Sequence, residues 1–322
     1  MTLRKPPTAT SSRLAGRLVP LLILLALAGV GIWAAVTNQQ VTLLERARFQ
    51  DLEHESPVEV GDLTVNLTVD REGDPMVVFL HDADVAGSIL WDDVVASLPE
   101  GYGSARIDLP GFGLSSRMPE PGPQHTVAEI GAVVSEVLST AIGRPVLLAG
   151  VGLGGKVAAE AAVATPELTS GLILIDVDFW DSDEWVEIVE GLPWLGRAFT
   201  HTFETGGRFA LERWAPHCET GGWCPSPEQI QERAIRVEIE ETTDSVHGFI
   251  RTASASQVPS RLDQVAVPVT FVHSTRGEVP ADSVQRLIDE ELPALTVVEL
   301  DVFQAHLDQP GEVAAAIVNV AG

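Results

Sequence analysis

Residues 150–155, GVGLGG, form the stretch whose composition and spacing are most typical of a chemical site. The stretch begins at Gly150, ends at Gly155, follows the apolar run PVLLA and precedes a helix-like run. As G-x-G-x-x-G it would bind a dinucleotide pyrophosphate at a helix N-terminus, with Asp176 bound to the ribose. As G-x-S-x-G it would be a nucleophile elbow in which Gly152 stands in the serine position. The first interpretation predicts a cofactor-dependent enzyme, and the second predicts a hydrolase-like site.

Short apolar strands and helices alternate on both sides of this stretch. The alternating run 58–70 predicts a β-hairpin. We expect further strands at 76–82, 104–110, 145–150, 170–177, 267–274 and 295–302, and helices at 88–98, 125–143, 153–165, 281–291 and 310–320. This alternation predicts an α/β fold with a mostly parallel sheet that helices cover on both faces.

The order of motifs around the glycine stretch resembles the α/β-hydrolase fold family. The branch it resembles carries a cap and includes esterases, haloperoxidases and epoxide hydrolases. The motifs are VVFLHD, IDLPGFGLSS (with Asp108, Pro110, Gly111, Gly113 and Ser115), the elbow, PELTSGLILID, and HLDQP beginning at His306. The resemblance implies a core at 57–178 and 265–322 and a helical cap inserted at 179–264. It favours the elbow over the dinucleotide loop.

Active members of this family need a nucleophile, an acid and a base. The resemblance places the nucleophile at Gly152, the acid at Gly277 with Glu278 beside it, and the base at Phe303, three residues before His306. None of the residues at the three positions carries the side chain required. We therefore expect a hydrolase-like protein without triad catalysis, which acts by binding a small apolar ligand or a protein partner.

The loop after the first parallel strand also departs from the family. Asp82 follows His81 where the family has glycine, and a carboxylate there would oppose a developing oxyanion. We expect both residues to line a pocket mouth with Gly152, Leu153, Asp178 and His306. His81, Asp82, Asp84 and Asp178 are of residue types that bind metals. The sequence offers only this one short cluster of such residues, so we predict no metal and no cofactor.

Two enzymatic alternatives remain open at this point. The first is an active esterase-like hydrolase that uses Ser115 or Ser116 with His306 and either Glu278 or Asp178. The second is the dinucleotide-binding enzyme, with its cofactor held by residues 150–155.

The N-terminal part of the sequence predicts a membrane anchor. Basic residues precede an uncharged run at 18–36, which as a helix spans about 28 Å, close to the ~30 Å hydrocarbon core. Basic residues on that side predict a cytoplasmic segment at 1–17. A single-pass signal anchor in the cell membrane would continue as a juxtamembrane stalk at 37–56 and place the globular domain outside the cytoplasm. The alternative is a signal peptide cleaved at the Ala-Leu-Ala of 26–28.

The two cysteines agree with export, and the net charge bears on the kind of partner. The net charge of -26 argues against a nucleic-acid partner. Cys218 and Cys224 are the only cysteines, and we expect a disulfide between them. Five tryptophans fall in the predicted cap, where they would either line an apolar pocket or partner patch, or pack the cap onto the sheet: Trp180, Trp185, Trp194, Trp214 and Trp223.

Overall fold

The structure is a computed structural model. It describes the chain except for residues 1–10, 52–55, 119–121, 123–124, 181–192, 207–211, 213, 254–260, 291, 293 and 322. The predicted cytoplasmic segment at 1–17 falls largely outside the described residues, as does Trp185.

One eight-stranded sheet forms the centre of the molecule, with the order β1-β2-β4-β3-β5-β6-β7-β8. Its strands are β1 (Pro57–Val60), β2 (Leu63–Arg71), β3 (Met76–Leu80), β4 (Gly103–Ile107), β5 (Val146–Val151), β6 (Thr169–Ile175), β7 (Val269–Ser274) and β8 (Thr296–Leu300). The β1/β2 hairpin and the β2/β4 pair are antiparallel, and the remaining pairs are parallel. The predicted hairpin and mostly parallel sheet are confirmed.

The central strands are apolar along their whole length because both faces of the sheet are covered. On β5, Leu148 packs on one face, while Leu147 and Ala149 pack on the other. The helices are α1 (Ser11–Leu44), α2 (Asp92–Ser97), α3 (Val127–Val137), α4 (Leu153–Ala164), α5 (Pro193–Thr200), α6 (Pro227–Val237), α7 (Thr242–Ala253), α8 (Ala281–Asp289), α9 (Ala305–Asp308) and α10 (Pro310–Ala321). Helices α3, α4 and α8 cover one face, and α2 and α10 cover the other.

The inserted segment between β6 and β7 carries α5, α6 and α7. Trp214 and Trp223 meet edge to face in this cap at a centroid distance of 5.3 Å. They pack against Leu90 and Leu307 of the core, so these two tryptophans join the cap to the sheet domain. Trp194, in contrast, is 52% exposed.

In the described part of the chain, Val19–Leu44 is long and apolar enough to cross a membrane. The helix that contains it, α1, continues beyond the expected span of 18–36, so the beginning of the predicted stalk is helical. From the last residues of the expected span into this extension, one face of α1 is buried at Ala34, Thr37 and Val41, where α1 packs on α5 and on the turn His201–Thr205. The predicted domain boundaries remain predictions.

Candidate functional site

The glycine stretch forms a sharp turn between β5 and α4. Gly152 has φ 51° and ψ -116°, in the left-handed half of backbone space where a side chain is strained. Its N–H donates to the carbonyl of Ile175 at the end of β6. An added Cβ on Gly150 would overlap the backbone of Gly154, so the close approach of β5 and α4 requires glycine there. The turn therefore has the geometry of a nucleophile elbow with glycine at its apex.

The carboxylate of Asp82 occupies the space beside this apex. Its Oδ1 accepts the N–H of Leu153 at 2.7 Å and the N–H of Ala83 at 2.8 Å. A Cβ built on Gly152 would overlap both carboxylate oxygens. In an elbow, the N–H after the nucleophile is one of the two donors to the oxyanion. Here a fixed anion of the protein already accepts that N–H.

His81 lies behind Asp82 and is fully buried. Its Nε2 accepts the N–H of Leu109 at 2.9 Å, so Nδ1 carries the proton and donates to the carbonyl of Asp82 at 2.5 Å. Burial lowers the pKa of His81, although nearby acidic groups such as Asp108 act in the opposite direction. His81 is thus a neutral link between the loops that follow β3 and β4.

The turn after β4 is organised by the buried carboxylate of Asp108. It accepts the N–H groups of Ser88 at 2.7 Å and Leu114 at 2.9 Å. Burial alone would raise the pKa of Asp108, but the positive charge of Arg236 and these donors act in the opposite direction, and the pKa is lowered. Ser115 Oγ donates to the Asp108 carbonyl at 2.5 Å, and Ser116 Oγ accepts a backbone N–H of β2 at 2.8 Å. Both serine hydroxyls are therefore engaged within the turn.

Phe303, at the position expected for the base, lies in the loop after β8. Its ring stacks on the His217 ring of the cap, with centroids 3.5 Å apart, and the Arg276 guanidinium lies 3.8 Å from its centre. Asp308 Oδ2 accepts the Phe303 N–H at 3.0 Å, and Oδ1 accepts the Trp223 N–H at 2.6 Å. One carboxylate thus ties this loop to the cap.

The predicted disulfide between Cys218 and Cys224 is present and closes the loop that carries Trp223. A surface groove of about 340 Å³ lies between this loop and the segment after β8. Its lining includes Trp223, Arg276, Asp301 and Phe303. The groove is a candidate binding site that spacing along the sequence did not indicate.

His306 follows Phe303 on α9 and is 5% exposed. Its ring packs 5.3 Å from the Trp91 ring, and its Nδ1 has no hydrogen-bond partner among the described residues. Burial lowers its pKa to about 4, with Asp308 acting weakly in the other direction. His306 is therefore neutral near pH 7 and fixed mainly by packing.

The candidate acids lie at the carboxyl ends of β6 and β7. A Cβ built on Gly277 would lie 2.8 Å from the carbonyl oxygen of Phe303, so the positions expected for the acid and the base are close together. Glu278, beside Gly277, is exposed. Asp178 accepts the Trp180 N–H at 2.9 Å and the Ser283 hydroxyl at 3.1 Å. These contacts engage Asp178 locally, at the start of the cap and on α8.

Asp176 has a different position from the one that the dinucleotide interpretation requires. It accepts the N–H of Ser274 at 2.7 Å and its hydroxyl at 2.6 Å, and Ser274 Oγ accepts the Ala305 N–H at 2.8 Å. Burial raises the pKa of Asp176, although the hydrogen bonds from Ser274 act in the opposite direction. The residue joins β6, β7 and α9 instead of facing the glycine turn.

The four residues considered as metal ligands do not converge. Within the described ranges, no group of three or more His, Cys, Asp or Glu side chains is arranged to hold a metal ion. Asp84 accepts the Ala86 N–H at 2.6 Å and lies 3.6 Å from the buried Arg233 guanidinium of the cap. Its contacts are those of an ion pair between the cap and the core.

This architecture defines the class of the protein: a parallel α/β sheet with an elbow after its fifth strand and a helical insertion after its sixth. The profile of the Alpha/beta hydrolase family matches residues 77–316. The chain belongs to the Alpha/beta hydrolase family, as the sequence motifs predicted.

Comparison with known proteins agrees on the fold. A hydrolase from Pseudomonas aeruginosa PA01 has a TM-score of 0.65 at 19% identity, over 83% of this chain and 98% of that one. The enol-lactonase from Burkholderia xenovorans LB400 has a TM-score of 0.60 at 14% identity, over 82% of this chain and 99% of that one.

A curated relative shares a shorter part of the sequence. The pimeloyl-[acyl-carrier protein] methyl ester esterase of Pseudoalteromonas atlantica is 32% identical over 117 residues, which is 35% of this chain and 42% of that protein. The chain therefore spans less than half the length of this relative.

Proposed function

We propose that the protein is a cell-membrane protein whose α/β-hydrolase domain binds a ligand or a protein partner without triad catalysis. The observation that carries the proposal is the Asp82 carboxylate on the Leu153 N–H. This anion stands where catalysis would need a free donor and, at position 152, a nucleophile. The base position carries Phe303, whose side chain transfers no proton.

We also propose that α1 is an uncleaved anchor, with residues 1–17 in the cytoplasm and the domain outside. The apolar span and the disulfide support this arrangement, since disulfides persist in oxidising compartments. Membrane-impermeant thiol labelling of intact cells tests the topology. A cysteine from Ile288→Cys should be labelled, and one from Thr2→Cys should be labelled only after the cells are opened.

The binding role is supported by the groove beside Phe303. The Phe303 ring is stacked on the His217 ring and is also contacted by the Arg276 guanidinium, so a ligand in the groove would meet the ring edge together with Trp223, Arg276 and Asp301. We propose a small apolar ligand with a polar end as the occupant. A protein segment docking at the same groove is the other occupant that we consider.

The catalytic part of the proposal is tested on the purified full-length chain in detergent. Short acyl esters, aliphatic methyl esters and a fluorescent serine-reactive phosphonate are the probes, with an active α/β-hydrolase esterase as the positive control. We expect neither turnover nor covalent labelling. Turnover that rises with protein concentration and stops after phosphonate treatment would contradict the proposal.

The second candidate function is ester hydrolysis by a non-standard set of residues. It is favoured by the esterase name of the curated relative and by the unpartnered, buried Nδ1 of His306. If turnover appears, Ser115→Ala, Ser116→Ala and His306→Asn should each be assayed beside Thr275→Ala as an exposed control. Loss of activity in one serine variant and in His306→Asn, with the control active, would establish this alternative.

The dinucleotide alternative has less support. A pyrophosphate at the N-terminus of α4 would meet the Asp82 carboxylate on the same N–H. Flavin or nicotinamide absorbance that co-purifies with the protein would revive it.

A further inference from the structure

The end of α1 is joined to the cap by a polar cluster, which we call the anchor–cap junction: Asn38, Glu45, Trp194, Arg197 and Thr243. Asn38 Nδ2 donates to the Trp194 carbonyl at 3.0 Å, and Arg197 donates to Asn38 Oδ1 at 2.9 Å. Arg197 also forms an ion pair with Asp244 at 2.5 Å. These contacts fix the position of α5 along the axis of α1, at the level of Asn38.

A second set of contacts closes the junction about two turns later. Glu45, 9% exposed, accepts the Thr243 N–H at the start of α7 at 2.7 Å. The N–H groups of Arg46 and Ala47 both donate to the carbonyl of Glu238. The cap is therefore attached directly to α1, without a free spacer between them.

The height of the cap relative to the bilayer follows from the helix rise. Asn38 is two residues beyond the predicted end of the span at 36, or about 3 Å along the axis. Each polar layer of a bilayer is roughly 5–8 Å thick, from the ~30 Å core and ~40–45 Å total. The Trp194 backbone, bonded to Asn38, thus lies at headgroup depth. If the hydrocarbon boundary fell later on α1, Trp194 would lie deeper.

The tryptophans on either side of the predicted end of the span suit a membrane interface. Trp194 on α5 is 52% exposed and Trp33 on α1 is 36% exposed. Tryptophan is enriched where hydrocarbon meets headgroups, because its ring is apolar and its N–H is polar. With a net charge of -26, the protein has no overall attraction to anionic lipids. Contact would therefore depend on aromatic insertion.

We infer that helix α5 of the cap rests on the outer surface of the same bilayer that α1 crosses, with the Trp194 side chain among the lipid headgroups. The partner is the lipid bilayer itself. This inference rests on the proposed anchoring by α1 and adds a second membrane contact to it.

The test uses the full chain in phosphatidylcholine vesicles. Trp194→Cys, carrying an environment-sensitive fluorophore, reports the depth of α5, and quenching by headgroup spin-labelled lipid is measured. Trp33→Cys is the membrane-inserted reference, and Ile288→Cys on α8, from a 42% exposed apolar residue of the core, is the matched control. The native cysteines are paired in the disulfide and do not react.

We expect a blue-shifted emission and strong quenching at position 194, close to the values at position 33 and well above those at 288. Equal, weak quenching at 194 and 288 in vesicle-bound protein overturns the inference and leaves anchoring intact. Failure of the wild-type chain to float with vesicles overturns both. A second measurement avoids labelling: quenching of intrinsic fluorescence by brominated lipid should fall in Trp194→Phe, and an unchanged value contradicts the inference.

Discussion

Two carboxylates make the same contact in two regions of the molecule, with different surroundings. Asp82 accepts the first N–H of α4 at the elbow, and Glu45 accepts an N–H in the first turn of α7 at the anchor–cap junction. Asp82 is exposed, whereas Glu45 is buried and its pKa is raised by burial to about 7. The helix N-terminus attracts both anions. Burial therefore makes the Glu45 contact sensitive to pH near neutrality.

The largest effect that we expect tests the space beside the elbow. Gly152→Ser would force a side chain into strained backbone space and against the Asp82 carboxylate, at a cost of about 3 kcal/mol in the free energy of unfolding. Urea unfolding measures this cost. In the double variant with Asp82→Gly, the overlap is absent, so the two costs should sum to more than the measured total. Strictly additive costs would show that Asp82 does not occupy this space.

Glu45→Gln tests the junction by removing its titration while keeping an acceptor for Thr243. The folded-state pKa of Glu45 is raised from 4.5 to about 7, so its stabilising contribution is complete below pH 4.5 and is lost as pH rises to 7. We expect the wild type to lose up to about 2 kcal/mol across this window relative to Glu45→Gln. Thermal unfolding from pH 4.5 to 8 provides the comparison. Parallel profiles would contradict the burial of a titrating Glu45.

His306 gives the core a pH response of opposite sign, and His306→Asn removes it. The pKa of His306 is lowered by burial from 6.5 to about 4, so its neutral form stabilises the fold above pH 6.5, and this is lost as pH falls to 4. The slope of melting temperature against pH in that window should be shallower in His306→Asn. His217→Asn in the cap, where the histidine is not fully buried, is the control. If the slope of melting temperature against pH changed only in His217→Asn, His306 would not be the source of this pH response.

The smallest effect concerns Asp82 itself. Asp82→Ala removes an exposed acceptor at a helix N-terminus and should cost about 1 kcal/mol. Asp82→Asn should cost less, because asparagine serves equally well as a capping residue. If instead Asp82→Asn is as destabilising as Asp82→Ala, the charge at the elbow matters more than the hydrogen bond.

Local sequence motifs predicted the fold and the positions of the elbow residues. The contacts made by Asp82 and Glu45 could not be predicted, because they join residues that are distant in sequence. The turn at Gly152 is encoded by a strand, glycines and a helix that adjoin in sequence. The contact of Asp82 with Leu153 joins residues 71 apart, and that of Glu45 with Thr243 joins residues 198 apart, so no spacing rule predicts either. The glycine missing after His81 signalled that the loop differs, but not that its carboxylate would reach α4.

The residues after the span illustrate a second limit. Residues 37–56 are mildly polar and suggested a stalk, because polarity next to a membrane span is typical of a spacer. Ala34, Thr37 and Val41 follow the helical spacing of a packed face, which would have been the signal for docking. What they dock against is decided by the cap, which sequence spacing does not position.

The unbroken course of α1 into the cap has a consequence for where the folded unit begins. Leu44 packs against the buried cluster that contains Val237 of α6, and Val41 is fully buried. A fragment cut at residue 57, where the sheet starts, would leave this apolar face of the cap open to water and Thr243 without its acceptor. The domain that a protease or a truncation could release as a stable piece should therefore start within the membrane helix, near Ala34.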